Sequence, residues 1–223
     1  MITGHKGFIG SRLSKHLDFT GIDLKDGNDL LKCDLPDGVD VIYHLAAQTS
    51  VEDSWKDPLK DSFNLIMTVR LAQRYPNARI IFAQSAASVE ASSPYGFSKL
   101  VSGEYLKKFH KDYVICTFPN VYGGGKGVVD LFKGKDEVTI YGDGEAVRDF
   151  VHVDDIIEGL LKARNWPKGE YSMGSGKGTR VIDLAAGKTI IKAPARKEIR
   201  ESILPNTCPN WSPRIDVIKY INE

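Results

Sequence analysis

Thr3-Gly4-His5-Lys6-Gly7-Phe8-Ile9-Gly10 opens the chain with three glycines spaced as TGxxGxxG, and this stretch decides the fold. Glycine accepts positive φ and leaves room where another backbone or a ligand must come close. In a strand-to-helix turn of this spacing, Gly4 permits the tight turn and Gly7 lets a pyrophosphate approach the backbone. Gly10 lets helix and strand pack closely. The amino end of the following helix offers unpaired N–H groups and a partial positive charge to the phosphates. Only Met1–Thr3 precede the motif, so the first strand must be very short.

Working outward, short apolar runs alternate with longer amphipathic ones. Gly21–Leu24, Val39–Leu45, Ala78–Gln84 and Tyr113–Phe118 read as strands, and Ser11–Leu17, Pro58–Arg74 and Tyr95–Lys111 as helices. Such alternation predicts βαβ units, an α/β fold built on a doubly wound parallel sheet. The stretch from Asp23 to Val39 leaves no room for a full crossover helix. Asp23 ends the second strand, where a carboxylate can accept hydrogen bonds from a ribose diol and would repel a 2′-phosphate; this favours NAD over NADP. The last third carries more Gly, Pro and charge, with a helix around Val153–Arg164 and a strand-like Val138–Tyr141. We divide the chain into a dinucleotide-binding domain, 1–122, and a smaller substrate-binding lobe, 123–223, with 149–175 expected to pack back on the first domain.

The 223 residues hold 30 basic and 29 acidic side chains, a formal net charge of +1. That balance provides no broad field for nucleic acid or an anionic membrane, and dispersed pairs such as Lys107-Lys108 read as solvated faces. No apolar run approaches the ~20 residues that cross a bilayer. Cys33, Cys116 and Cys208 form no CxxC pair and no ligand cluster with histidine, so no metal is expected. A reducing compartment, the cytoplasm, is the expected location.

Tyr95-Gly96-Phe97-Ser98-Lys99 is YxxxK, and residues four apart on a helix share a face. A free tyrosine titrates near ~10, and a neighbouring cation can lower that by roughly one to three units, into the range useful for acid–base work. Ser85 follows Ile80-Ile81-Phe82-Ala83, which puts it at the carboxyl end of a strand, where ligands bind in such sheets.

These residues sit among further motifs. His44-Leu45-Ala46-Ala47 is followed by Val51, Ser54, Pro58 and Asn64; Cys33-Asp34-Leu35, Pro119-Asn120-Val121-Tyr122-Gly123 and Gly142-Asp143-Gly144 come in order. Arg148-Asp149-Phe150-Val151-His152-Val153 with Asp155, and Trp211-Ser212-Pro213, complete the series. Together they resemble the extended short-chain dehydrogenase/reductase family, in particular its NAD-dependent nucleotide-sugar epimerases and dehydratases, over nearly the whole chain.

The resemblance implies a Rossmann-type sheet, bound NAD and a nucleotide-diphosphate sugar as substrate. It implies that Tyr95 takes the proton from a sugar hydroxyl, and that Lys99 binds the nicotinamide ribose and keeps the Tyr95 pKa low. Ser85 would hydrogen-bond the same sugar oxygen. The cofactor would run along Gly4, Gly7, Phe8, Ile9, Gly10, Asp23, Asp34, Leu35, Leu45, Ala46 and Ala47. Asn120, Arg148 and Arg196 would hold the diphosphate. His44 and His152 are more in keeping with structural roles.

Within the family, dehydratases carry an acidic pair after the serine; here Ala86 and Ala87 follow Ser85. The expected activity is therefore 4-epimerisation of the UDP-glucose/UDP-galactose type through a transient 4-keto sugar. A dehydratase, a reductase and a non-catalytic NAD-binding regulator remain the alternatives. The chain is shortened where relatives carry substrate loops: nine residues separate Ser85 from Tyr95, and Gly124–Gly142 is brief. Apolar residues on more than one face of the two long helices, such as Leu65, Val69, Val101 and Tyr105, fit the family's homodimer, formed through a four-helix contact.

Overall fold

The run Ile80-Ile81-Phe82 is buried at all three positions, as in a strand covered on both faces rather than one. In the computed structural model, which describes residues 1–125, 127–195 and 199–223, the run is the centre of β4 (Arg79–Ser85). Numbered in chain order, β1 (Ile2–Thr3), β2 (Gly21–Ile22), β3 (Val41–His44), β5 (Tyr113–Phe118) and β9 (Gly169–Ser172) share its sheet, in the order β2-β1-β3-β4-β5-β9. β1 pairs in parallel with both β2 and β3, and β3 with β4. This is the expected Rossmann-type arrangement, and β1 has two residues.

Two helices follow from local sequence. Pro58 opens α3 (Pro58–Arg74), where its fixed φ suits the first turn and its missing N–H costs nothing. Pro94 does the same for α5 (Pro94–Phe109), and the Ser93 hydroxyl accepts the Gly96 N–H at 3.0 Å as the cap. Shorter pieces are α1 (Gly10–Leu13), α2 (Val51–Lys56) and α4 (Ala87–Glu90). The helix predicted over Ser11–Leu17 is α1 running into a 3₁₀ turn at Ser14–His16. No α-helix links β2 to β3; a 3₁₀ turn, Leu24–Asp26, stands there instead. Ile42, Leu71, Ile80, Phe82, Leu106 and Ile115 form the core between this sheet and its helices.

The chain divides into two compact units, residues 1–117 with 160–171, and 118–159 with 172–223. The returning segment, 160–171, lies inside the 149–175 stretch, and its strand β9 joins the first sheet. The second unit holds β6 (Asn120–Tyr122), β7 (Glu137–Tyr141), β8 (Val147–His152), β10 (Gly178–Arg180), β11 (Thr189–Ala193) and β12 (Glu201–Ser202). It also holds α6 (Val128–Phe132) and α8 (Val217–Asn222), while α7 (Val153–Ala163) spans the division. β8 is its hub, pairing in parallel with β6 and β12 and antiparallel with β10. Asp149 on β8 is fully buried, and its carboxylate accepts the backbone N–H groups of Ser175, Gly176 and Leu204. Among the described residues no helix is long and apolar enough to cross a membrane.

Candidate active site

Ser85 is the last residue of β4, and its hydroxyl accepts the Ala87 N–H at 3.2 Å, turning the chain into α4. Ala91 then adopts a left-handed φ of 48°, and Ser93-Pro94 starts α5. Tyr95 and Lys99 therefore fall in the first two turns of α5, one above the other. Gly96 makes this compact return possible. A Cβ there would lie 2.2 Å from the Ala87 carbonyl oxygen, so any larger residue would drive α4 and α5 apart.

Tyr95 and Lys99 are withdrawn from solvent while Ser85 is partly buried, and burial dominates the electrostatics of the first two. Lys99 is 3% exposed; its ammonium lies 4.2 Å from the Phe82 ring centroid and has no carboxylate partner among the described residues. Desolvation pulls its pKa down to about 7. The Tyr95 phenol is pushed above its ordinary value, first by burial, while a hydrogen bond with Ser85 pulls the other way and the charge of Asp61 adds to the rise. The expectation that Lys99 holds the tyrosine pKa low is thus corrected for the protein by itself: taking both groups out of water disfavours both charged forms. A hydroxyl-rich ligand bonding the ammonium would shift this balance toward the ion.

Behind the lysine, His44 is locked. Its Nδ1 lies 2.9 Å from the Thr3 hydroxyl and its Nε2 lies 3.1 Å from that of Thr68 on α3. Full burial, with Lys99 nearby, depresses its pKa to about 3, so His44 is neutral and structural, as the sequence indicated. Because the unfolded chain takes up this proton below ~6.5, stability is complete above that pH and falls by about 1.4 kcal/mol per unit between ~6.5 and ~3. Chemical denaturation over that range should show a shallower acid-side fall in His44→Gln than in the parent. An unchanged slope in the variant would refute the assignment.

The glycine turn has the geometry its sequence calls for. Gly4 has φ of +73°, and a Cβ on it would lie 2.8 Å from the Ala46 amide nitrogen. A Cβ on Gly10 would lie 2.1 Å from the Gly4 carbonyl oxygen, whereas on Gly7 the nearest atom is 3.1 Å away. Asp23, nearly fully buried, ties this turn to β2: its Oδ2 accepts the Lys6 N–H at 2.8 Å and its Oδ1 the Lys25 N–H at 2.9 Å. Each oxygen keeps a lone pair for a ribose hydroxyl. Leu45, Ala46 and Ala47 follow β3 against this turn, with the Ala46 N–H donating to the Thr3 hydroxyl at 3.2 Å. Phe8 and Ile9 complete the loop into α1, and the Phe8 carbonyl accepts the Arg12 guanidinium at 3.0 Å. Asp34 and Leu35 line a cavity of about 510 Å³ with Arg70, Gln73 and Arg74 of α3.

Asn120 and Arg148 belong to the second unit. Asn120 is level with Phe150 across β6 and β8, two residues beyond Arg148, so the two side chains occupy neighbouring positions on adjoining strands. The Asn120 amide donates to the Asp149 carbonyl at 3.2 Å, and the Arg148 guanidinium to that of Val147 at 2.8 Å. Arg196 lies outside the described residues. Sequence reading did not single out Gly96, the Ser93 cap, or Asp61. The signal for Asp61 was present: Asp61, Asn64 and Thr68 put polar residues at i, i+3 and i+7 of α3, on the face that turns out to be buried.

The model of the NAD dependent epimerase/dehydratase family matches residues 1–174. A UDP-glucose 4-epimerase of Mycolicibacterium smegmatis is 28% identical over 299 aligned residues, covering 99% of this chain and 95% of the relative. Since this chain has 223 residues, the relative carries internal segments absent here. The crystal structure of a UDP-glucose 4-epimerase with UDP-glucose, from Thermotoga maritima, superposes with a TM-score of 0.81 at 26% identity, covering 99% of this chain and 95% of that one. A Thermus thermophilus UDP-glucose 4-epimerase complexed with NAD shares the fold at a TM-score of 0.80 and 24% identity, over 99% of this chain and 98% of that one.

Proposed function

The chain belongs to the NAD dependent epimerase/dehydratase family, and on that premise we propose that it is a nucleotide-sugar 4-epimerase of the UDP-glucose/UDP-galactose type. The observation that supports this reading is Ser85 at the carboxyl end of β4 beside a buried Tyr95 and Lys99 on α5, with Ala86 and Ala87 where an elimination catalyst would need acids.

NAD fits the residues present. The Gly4 and Gly10 positions would be filled by any Cβ, Asp23 keeps acceptor capacity for a ribose diol, and the Lys99 ammonium is buried without an anion. When bound, NAD supplies the acceptor and the returning donor of the C4 hydride. Tyr95 takes the proton of the C4 hydroxyl and gives it back, with its Oη as the atom that holds it. Ser85 hydrogen-bonds the same oxygen and steadies it as it becomes a carbonyl. Lys99 would donate to the nicotinamide ribose and would stabilise the phenolate when it forms. We assign Asn120 and Arg148, and Arg196 by resemblance, to the diphosphate, which the guanidinium groups meet by charge-assisted bonds.

Incubation with a panel of nucleotide sugars, followed by proton NMR, tests this. Interconversion of UDP-glucose and UDP-galactose without net NADH is expected. Accumulation of a keto or dehydrated sugar would instead make the chain a dehydratase, and no turnover of any sugar would make it a cofactor-binding regulator.

We also propose a homodimer. Leu59, Phe63 and Ile66 form an exposed apolar stripe on α3, 70%, 39% and 48% exposed, and Phe97 on α5 is 59% exposed. An apolar face of this kind on two adjacent helices suits a four-helix contact between two copies. Light scattering should give twice the chain mass for the parent and the single mass for Phe63→Lys; a monomeric parent would refute the assembly. The three free thiols fit a reducing compartment, and we place the enzyme in the cytoplasm.

A further inference from the structure

Every polar group of Lys6 is held by one short stretch of chain. Its N–H donates to the Asp23 carboxylate at 2.8 Å, its carbonyl accepts the Lys25 ammonium at 3.0 Å, and its own ammonium pairs with Asp26. His5 joins them, with its Nε2 2.9 Å from the other Asp26 oxygen. His5 and Lys6 are the residues between Gly4 and Gly7 of the glycine turn. Asp23, Lys25 and Asp26 belong to the 3₁₀ turn, and its cap, that stands where a crossover helix is missing.

That 3₁₀ turn is closed by its own backbone. The Asp26 and Gly27 N–H groups donate to the carbonyls of Asp23 and Leu24, both at 3.0 Å, and Gly27 ends the turn with a φ of +79°. The His5 ring is seated as well: it packs on Phe19 at 5.5 Å between centroids, and a Cβ on Gly21 of β2 would come within 2.6 Å of it. The Asp26 carboxyl is kept below its ordinary range, first by its bond to Lys6, so it is ionised at neutral pH.

We propose that Asp26 is a positioning residue for the cofactor: by gripping His5 and Lys6 together it preorganises the glycine turn for the pyrophosphate. A turn already held in its binding shape has less ordering to undergo when the ligand arrives. This rests on the reading of Gly4–Gly10 as the NAD-binding turn. The charge of Asp26 acts in the opposite sense, because a carboxylate beside the turn repels a pyrophosphate. That charge is partly exposed, paired with Lys6 and screened by salt, so the grip outweighs it. Grip and charge therefore give opposite signs when Asp26 is removed.

Equilibrium dialysis of the full chain against NAD at physiological ionic strength tests this. Asp26→Ala should raise the Kd about tenfold, as expected if roughly one more residue must be ordered on binding. Asp26→Glu, which keeps the carboxylate, should keep the parent affinity. An unchanged Kd in Asp26→Ala overturns the proposal, and a lower one does so by making Asp26 a repelling charge only. Equal weakening in the alanine and glutamate variants would mean general damage to the turn and would overturn it too. If Asp26→Ala fails to fold, Asp26→Asn is dialysed in its place, and failure of both makes Asp26 a structural group and overturns it equally. A parent that binds no NAD would sink the cofactor reading itself, whereas NAD held equally by parent and variant sinks the grip alone.

Discussion

Tyr95→Phe should lower kcat by about a thousandfold while the protein retains its fold and its cofactor, because only the proton-transferring oxygen is lost. The ring stays packed in the first turn of α5, and the Ser93 cap and Pro94 that set this turn do not depend on the hydroxyl. Steady-state turnover, read with cofactor content and far-ultraviolet circular dichroism, checks it. A loss of activity matched by a loss of cofactor would mean that the hydroxyl serves binding instead, and activity within a fewfold of the parent would remove Tyr95 from the chemistry.

The second large effect is expected at Gly10. Its φ is ordinary, so the constraint is one of space: a methyl group would sit 2.1 Å from the Gly4 carbonyl oxygen and 2.8 Å from the His5 Cα. These are backbone atoms, which cannot swing aside as a flexible side chain would. Gly10→Ala should therefore cost about 3 kcal/mol of stability, at the upper end of the range for overpacking, and should empty the site of cofactor. Gly7→Ala, whose Cβ would meet its nearest atom at 3.1 Å, should cost much less in stability. Denaturant unfolding of both variants separates the two roles. Equal stability losses would contradict the division made between close packing at Gly10 and ligand approach at Gly7.

The sheet was legible because its signals are local. The glycine spacing, the apolar runs of β3, β4 and β5, and the prolines opening α3 and α5 each act within a few residues, and α3 spans the predicted residues at both ends. The placement of Ser85, Tyr95 and Lys99 was legible for the same reason, since a strand end and helical spacing set it. Their electrostatics were not. That Lys99 has no anionic partner among the described residues, and that burial governs the phenol, depends on how deeply β4 and α5 bury the pair. Gly96 was hidden in a different way: it lies inside the YxxxK stretch itself, and its need to be glycine comes from the Ala87 carbonyl across the turn.

The central claim is that Ser85, with the buried Tyr95 and Lys99, serves oxidation at a sugar carbon followed by return of the same hydride. UDP-glucose deuterated at C4 tests it most directly, with the product examined by proton and deuterium NMR. The account predicts UDP-galactose that keeps its deuterium at C4, with no exchange into water. Loss of the label to solvent, or a product that is dehydrated or left oxidised, would contradict it.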